Sequence, residues 1–102
     1  MSPTGTTVLE PATDELTALS PPWQVIVHND DVTTQEFVVW LLITLFGHPY
    51  DEANRLMLEV HHSGAAAVAT CSQERAELYV EQVASLARPR GFPLTASAEP
   101  VA

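Results

Sequence analysis

Apolar positions change their spacing along the chain, and each change marks a predicted element. Directly after Trp23, Val25 and Val27 alternate with Gln24 and Ile26, a period-two pattern that favours a strand. A wide apolar arc at helical spacing follows and predicts the most buried helix of the domain. Gly47 is placed to end that helix. The arc consists of Phe37, Val38, Leu41, Leu42, Leu45 and Phe46, with Trp40 on its margin.

Two further helices are predicted by the same spacing rule. The second begins between Pro49 and Asp51, ends at Gly64, and has apolar residues at i, i+3, i+4, i+7 and i+8. Ser72 is placed to cap the third helix, and Pro89 to stop it. The predicted buried stripes are Ala53, Leu56, Met57, Val60 and His61 on the second helix, and Ala76, Tyr79, Val80, Val83 and Leu86 on the third.

The small apolar run from Ala65 to Cys71 indicates a second strand, and residues 92–96 indicate a third. The predicted order is strand-helix-helix-strand-helix-strand, an α+β arrangement. We expect one domain over residues 23–97, a flexible N-terminal extension over 1–22 and a disordered C-terminal tail over 98–102. The extension is either an idle terminus or a tether that another protein grasps.

Polar side chains gather at the junction between the first strand and the first helix. Asn29, Asp30 and Asp31 come just before Thr33-x-x-Glu36, which has the spacing of a capping box. The plain interpretation is a turn whose carboxylates stabilise the helix start by up to about 1 kcal/mol. The alternative is a binding site, because side chains at such a junction can point into a cleft.

Composition narrows the classes of partner. The chain has 102 residues, 46% of them hydrophobic, and a formal net charge of −9. That charge argues against nucleic acid and against an anionic membrane, since binding to phosphate needs a basic face. Cys71 is the single cysteine and cannot form an internal disulfide, and no basic residue precedes Arg55 to make a secretory signal. We therefore expect a cytoplasmic protein.

Candidate catalytic and metal-binding residues are few. His61 lies on the apolar stripe of the second helix, where it is either a core histidine with one hydrogen bond or a functional group. His62 faces about 100° away, so the pair cannot chelate one metal ion from a regular helix. No Cys-x-x-Cys or His-x-x-x-His spacing occurs, and nothing near Cys71 resembles an activated nucleophile. We expect no metal, no cofactor and no enzymatic activity.

Two segments taken together resemble one family. They read Val25-Ile-Val-x-Asn-Asp-Asp31 with Thr33 and Glu36-Phe-Val38, and then Ala53-x-x-Leu-Met-Leu-x-Val-His61 followed by Gly64. In this combination the chain is similar over residues 23–96 to the ClpS family, adaptors that deliver N-degron substrates to the AAA+ chaperone of a Clp protease. The resemblance implies a three-stranded antiparallel sheet packed on three helices.

The resemblance also implies how a substrate is held. Acceptors at the mouth of a cleft bind the free α-amino group of a protein that starts with Leu, Phe, Tyr or Trp. Here Asn29 and His61 would accept directly, with Asp30 and Asp31 supplying a negative field. Because His61 accepts only when neutral, binding should weaken as its imidazole takes up a proton. The first side chain would enter an apolar pocket lined by Thr33, Gln35, Val38, Leu41, Met57 and Val60.

The chain departs from the family pattern at three positions. Thr34 and Gln35 stand where family members commonly have Pro and Met, and that Met gates against β-branched side chains, so the rejection of Ile and Val is open here. On the third helix Glu74 matches an acidic position that contacts the chaperone's N-domain, whereas Tyr79 replaces a Lys. The implied partner is a chaperone of the ClpA or ClpC type, and we expect the adaptor to be a monomer.

Two other classes of protein stay open at the level of sequence. A structural docking domain resembling the C-terminal domain of the ribosomal stalk protein has a similar α+β form and no degron binding. A small enzyme would use His61 with Asp30 or Asp31, although no nucleophile or cofactor motif is present. The predicted pocket residues are also of the kind that fill an ordinary core.

Overall fold

The computed structural model describes residues 21–101, and within them the predicted order of elements is confirmed. The strands are β1 (Trp23–His28), β2 (Ala65–Cys71) and β3 (Thr95–Pro100). The helices are α1 (Gln35–Thr44), α2 (Tyr50–Ser63) and α3 (Gln73–Ala87), followed by a 3₁₀ turn over Arg88–Arg90. Across this range no helix is long and apolar enough to cross a membrane. Most of the predicted extension, residues 1–20, lies outside the described residues.

β1 is the central strand of the sheet, with β2 on one side and β3 on the other, and both neighbours are antiparallel to it. The predicted alternation in β1 is confirmed, because Val25 and Val27 are completely buried. Val27 lies opposite Ala66 on one side and Ala96 on the other. These small neighbours let the helices pack closely against the inner face of the sheet.

The core lies between that face and the helices. The predicted stripe of α2 is confirmed at its four apolar positions, but His61 is exposed, so it is not a core histidine. On α3 the buried residues include Ala76 and Val83, whereas Tyr79 and Leu86 are only half-buried. The core members from α1 and α2 are Phe37, Val38, Leu41, Leu42, Ala53, Leu56, Met57 and Val60.

The start of α1 differs from the predicted capping box. Thr34, not Thr33, is the N-cap, and its hydroxyl accepts a hydrogen bond from the amide of Phe37 at 3.1 Å. The hydroxyl of Thr33 instead donates to Oδ2 of Asp30 at 2.8 Å. Asp30 accepts from both the amide and the hydroxyl of Thr33, which holds Thr33 in the loop, so the helix begins later and Thr34 caps it.

The end of the chain also differs from prediction. β3 begins at Thr95 and continues to Pro100, so the strand predicted over 92–96 is placed too early. The predicted disordered tail over 98–102 is wrong for residues 98–101, and residue 102 lies outside the described residues. The ladder pairs Val25 with Ala98, and the amide of Val101 extends it by donating to the carbonyl of Pro22 at 2.9 Å. Alanine, serine and proline have little strand propensity, so pairing with β1 overrides the local preference.

Candidate functional site

One backbone hydrogen bond joins the two parts of the predicted site. The amide of Asn29, at the end of β1, donates to the carbonyl of Gly64 at 2.9 Å. Gly64 has a φ of 91°, in the left-handed region that favours glycine, and it turns the chain from α2 directly into β2. Asn29 therefore lies beside the last turn of α2, which carries His61.

A cleft of about 200 Å³ opens at this junction. With one exception, it is lined by all the residues predicted for amine binding and for the apolar pocket. The exception is Leu41, which is completely buried one turn farther along α1 and belongs to the core, not to the lining. The lining residues are Asn29, Asp30, Asp31, Thr33, Gln35, Val38, Met57, Val60 and His61.

Asp30 organises the loop at the polar end of the cleft. Its Oδ1 accepts from the amides of Val32 at 2.8 Å and Thr33 at 2.7 Å, and its Oδ2 accepts from the Thr33 hydroxyl. Partial burial on its own raises the pKa of Asp30, but the hydrogen bonds to the charged form outweigh it and hold that pKa below its ordinary value. The carboxylate is therefore ionised at neutral pH, with both oxygens engaged by its own loop.

The other polar side chains at this end of the cleft, Asn29, Asp31 and His61, are exposed. The ring of His61 meets the ring of His62 edge-on, with centroids 5.2 Å apart, but His62 does not line the cleft. The mouth thus offers an amide oxygen, a carboxylate and an imidazole. This set of acceptors suits a cationic donor such as a protonated amine.

The other end of the cleft is apolar and is part of the core. Val38, Met57 and Val60 are only 6%, 7% and 2% exposed, so the core fixes their positions while one side of each faces the cleft. Pockets that bury drug-sized ligands measure about 300–1,000 Å³, and this cleft is smaller. It therefore suits one side chain with its amino group and not a whole peptide.

The arrangement does not resemble a catalytic centre. Asp30 gives its carboxylate oxygens to its own loop and not to His61. Cys71 lies at the end of β2, away from the cleft lining, and burial raises the pKa of its thiol, which disfavours the reactive thiolate. Among residues 21–101, no three His, Cys, Asp or Glu side chains are grouped so that they could hold a metal ion.

Comparison with known proteins decides the family. The family model of the ATP-dependent Clp protease adaptor protein ClpS matches residues 18–97. The chain belongs to the ClpS family. The ATP-dependent Clp protease adapter protein ClpS of Desulforapulum autotrophicum is 44% identical over 79 residues, which cover 78% of this chain and 76% of that protein. The protein of the same name from Campylobacter jejuni subsp. doylei is 38% identical over 94 residues, 90% of this chain and 98% of the relative.

A solved structure agrees with the ClpS fold. Agrobacterium tumefaciens ClpS2 bound to L-phenylalaninamide matches with a TM-score of 0.77 and 33% identity, covering 79% of this chain and 98% of that one. The expected α+β domain, with three helices and a three-stranded antiparallel sheet, is confirmed. As a ClpS protein the chain is an adaptor of the Clp protease, and this overturns the alternative of a ribosomal-stalk docking domain.

The two residues predicted for chaperone docking do not share one face of α3. Glu74 and Tyr79 are five positions apart, about 140° around a regular helix. Glu74 is exposed in the first turn. The ring of Tyr79 packs on Phe46 with centroids 4.6 Å apart, and the Arg75 guanidinium lies 5.4 Å from its centroid. Glu74 is thus available to a partner, whereas Tyr79 is engaged within the domain.

A larger depression next to the cleft was not foreseen from the sequence. This interhelical groove measures about 450 Å³ and is lined by Val39, Trp40 and Ile43 of α1 and by Tyr50 and Asn54 of α2, among others. The sequence feature that could have indicated this groove is the width of the apolar arc on α1. An arc wider than the core can cover leaves apolar residues at its margin on the surface.

Proposed function

We propose that this ClpS chain binds the free N-terminus of proteins that begin with Leu, Phe, Tyr or Trp and delivers them to a Clp AAA+ chaperone. The observation that carries the proposal is a single cleft in which exposed acceptors, Asn29, Asp31 and His61, adjoin a buried apolar end formed by Val38, Met57 and Val60. The chain catalyses no reaction in this scheme. The family resemblance implies that it acts in the cytoplasm.

The ligand of the similar ClpS2 structure supports this class of substrate. L-phenylalaninamide carries a free α-amino group and an aromatic side chain, and its carboxyl group is an uncharged amide. It therefore mimics the first residue of a polypeptide. Its cationic and apolar parts match the two ends of the cleft described above.

The expected affinity follows from the two ends of the cleft. A hydrogen bond between the charged amine and an acceptor contributes roughly 1.5–3 kcal/mol. Burying a Phe or Leu side chain contributes roughly 1.5–3 kcal/mol. After the cost of ordering the peptide, these contributions support a micromolar dissociation constant, about −8 kcal/mol.

Gln35 is the residue we expect to alter selectivity. It is exposed at the edge of the cleft, where a flexible amide reaches the substrate backbone more readily than it blocks a branched side chain. We therefore expect peptides that begin with Ile or Val to bind, with lower affinity than peptides that begin with Phe. Gln35→Met should weaken the Ile and Val peptides more than the Phe peptide, and equal effects on all three would contradict this role.

Glu74 is our candidate contact with the N-domain of a ClpA- or ClpC-type chaperone. The extension over residues 1–22 is a candidate tether that takes part in transferring the substrate to the chaperone. Glu74 is exposed and does not line the cleft. Glu74→Ala should slow degradation of a Phe-starting substrate by the chaperone–protease and leave peptide affinity unchanged. Unaltered degradation would exclude Glu74 as a contact.

Fluorescence polarisation with two labelled peptides, identical except for a first Phe or a first Glu, tests the proposal. We expect saturable micromolar binding of the Phe peptide and at least about tenfold weaker binding of the Glu peptide. Asn29→Ala should weaken the Phe peptide, whereas Gln73→Ala, an exposed amide on α3, should not. Equal binding of the two peptides would refute the proposal.

A further inference from the structure

We propose that the interhelical groove is a second subsite, which binds the residues that follow the first one in the same peptide and favours apolar or aromatic side chains. This inference rests on the proposed function, because it requires the first residue to be held in the cleft. It adds a preference at positions two to four of the substrate to the preference at position one.

The groove adjoins the cleft. Gln35 and Met57 line both, and the groove extends from them along the two helices to Ile43 and Tyr50. With the amine at the polar mouth and the first side chain in the buried apolar end, the backbone has to leave the cleft along its exposed rim. Gln35 is exposed on that rim, and it also lines the groove.

The length of the groove sets the number of residues it can hold. From Gln35 to Ile43 the axis of α1 advances about 12 Å, at about 1.5 Å per residue. An extended peptide spans about 3.3 Å per residue, so three or four residues cover this distance. The cleft has room for one side chain only, so the rest of the peptide has to lie outside it.

The surface of the groove suits apolar side chains. Trp40, Ile43 and Tyr50 are 39%, 38% and 64% exposed, although each is large and hydrophobic. Trp40 is also held in place. Its ring packs on Phe37 with centroids 5.6 Å apart, and the Arg90 guanidinium lies 5.1 Å from its centroid. A ring that is already ordered loses little entropy when a ligand side chain packs on it.

Two labelled peptides that both begin with Phe test the subsite, one with Leu at positions two to four and one with Ser there. On the wild-type protein we expect the Leu peptide to bind about fivefold more tightly or better. The double variant Ile43→Ser, Tyr50→Ser should lose this advantage and bind the Ser peptide as the wild type does. Leu58→Ser is the matched control, because Leu58 is 39% exposed on α2 and lines neither cavity.

The possible results distinguish the second subsite from the proposed binding of the first residue. Equal wild-type affinity for the two peptides overturns the subsite and leaves first-residue binding intact. An advantage that survives in the double variant places the apolar contact elsewhere and also overturns the subsite. Failure of the folded wild type to bind either peptide overturns the proposed function itself. If the double variant is unstable, Tyr50→Ser alone makes the same comparison, since Tyr50 is mostly exposed.

Discussion

At the scale of single residues, Asp30 stabilises the loop, whereas the exposed side chains of Asn29 and Asp31 remain available to hydrogen-bond a ligand. Its three hydrogen bonds lie within residues 30–33. The lowered pKa means that the folded state gains from the ionised carboxylate. That contribution is complete above the unfolded value near pH 4 and is lost as the pH falls through the lower folded value.

We therefore expect Asp30→Ala to reduce the free energy of unfolding at pH 7 by about 1 kcal/mol or more, because three donors lose their acceptor. The wild-type advantage over this variant should shrink below about pH 4. Thermal melts from pH 7 to pH 3 measure both effects. Asp31→Ala is the control, since Asp31 is exposed. Equal losses in the two variants would contradict the role given to Asp30.

His61 should contribute directly to substrate binding. It is exposed at the mouth of the cleft, where a ring nitrogen can accept a hydrogen bond from the substrate amine. His61→Ala should weaken binding of a Phe-starting peptide at pH 7.5 by about tenfold.

The neighbouring His62 provides the control for this variant. It has the same side chain and is exposed on the same helix, but it does not line the cleft. His62→Ala should keep the wild-type affinity. Equal losses in His61→Ala and His62→Ala would contradict the contact assigned to His61.

The residues that line the cleft could be named from the sequence because two short segments carry them at a characteristic spacing. The sequence could not show which group each hydroxyl bonds to, or how deeply each apolar residue is buried. The capping-box spacing assigns Thr33 to the helix cap, but its hydroxyl donates a hydrogen bond to Asp30. Leu41 is on the same stripe as Val38 and is buried below the cleft, since helical periodicity gives direction but not depth.

At the scale of elements, the turn at Gly64 positions Asn29 against the end of α2. Gly64→Ala should lower the free energy of unfolding by about 1 kcal/mol, because its φ of 91° strains any residue with a Cβ. It should also weaken peptide binding, since the Gly64 carbonyl holds the Asn29 amide.

Gly91→Ala is the matched control for that variant, since Gly91 has a φ of 79° and lies after the 3₁₀ turn. It should lose similar stability and keep its peptide affinity. Chemical denaturation and peptide titration of both variants measure the difference. If the two variants lost affinity to the same extent, the turn at Gly64 would have no special part in the site.

β3 should be necessary for the stability of the domain. Deleting residues 98–102 removes the pairing of Val25 with Ala98 and of Trp23 with Pro100. We expect the free energy of unfolding to fall by about 2 kcal/mol or more, because several ladder hydrogen bonds and half-buried contacts are lost. Denaturation of the full and shortened chains measures it. Equal stability would fit a disordered tail and contradict the strand.

The elements differ in how well the sequence predicted them. The bounds of α2 follow from Pro49 and Gly64, because both residues restrict the backbone locally. β3 was misplaced because its residues are small and its stability comes from β1, far away in sequence. The interhelical groove was missed for a similar reason, since it exists only where two helices pack side by side.

At the scale of the whole molecule, the fold places the two candidate surfaces apart. The cleft is formed where β1, α1 and α2 meet, whereas Glu74 is on α3, outside its lining. We therefore expect the proposed substrate site and the proposed chaperone contact to be occupied in one domain at the same time. The net charge of −9 favours the approach of a cationic amine.

The most direct test of the account compares a labelled peptide beginning with Phe with the same peptide acetylated at its N-terminus. Acetylation removes the positive charge and the donors while keeping the side chain, so the acceptors at the mouth lose their partner. We predict saturable micromolar binding of the free peptide and about a hundredfold weaker binding of the acetylated one. Equal binding of both by the folded protein would contradict recognition of a free N-terminus.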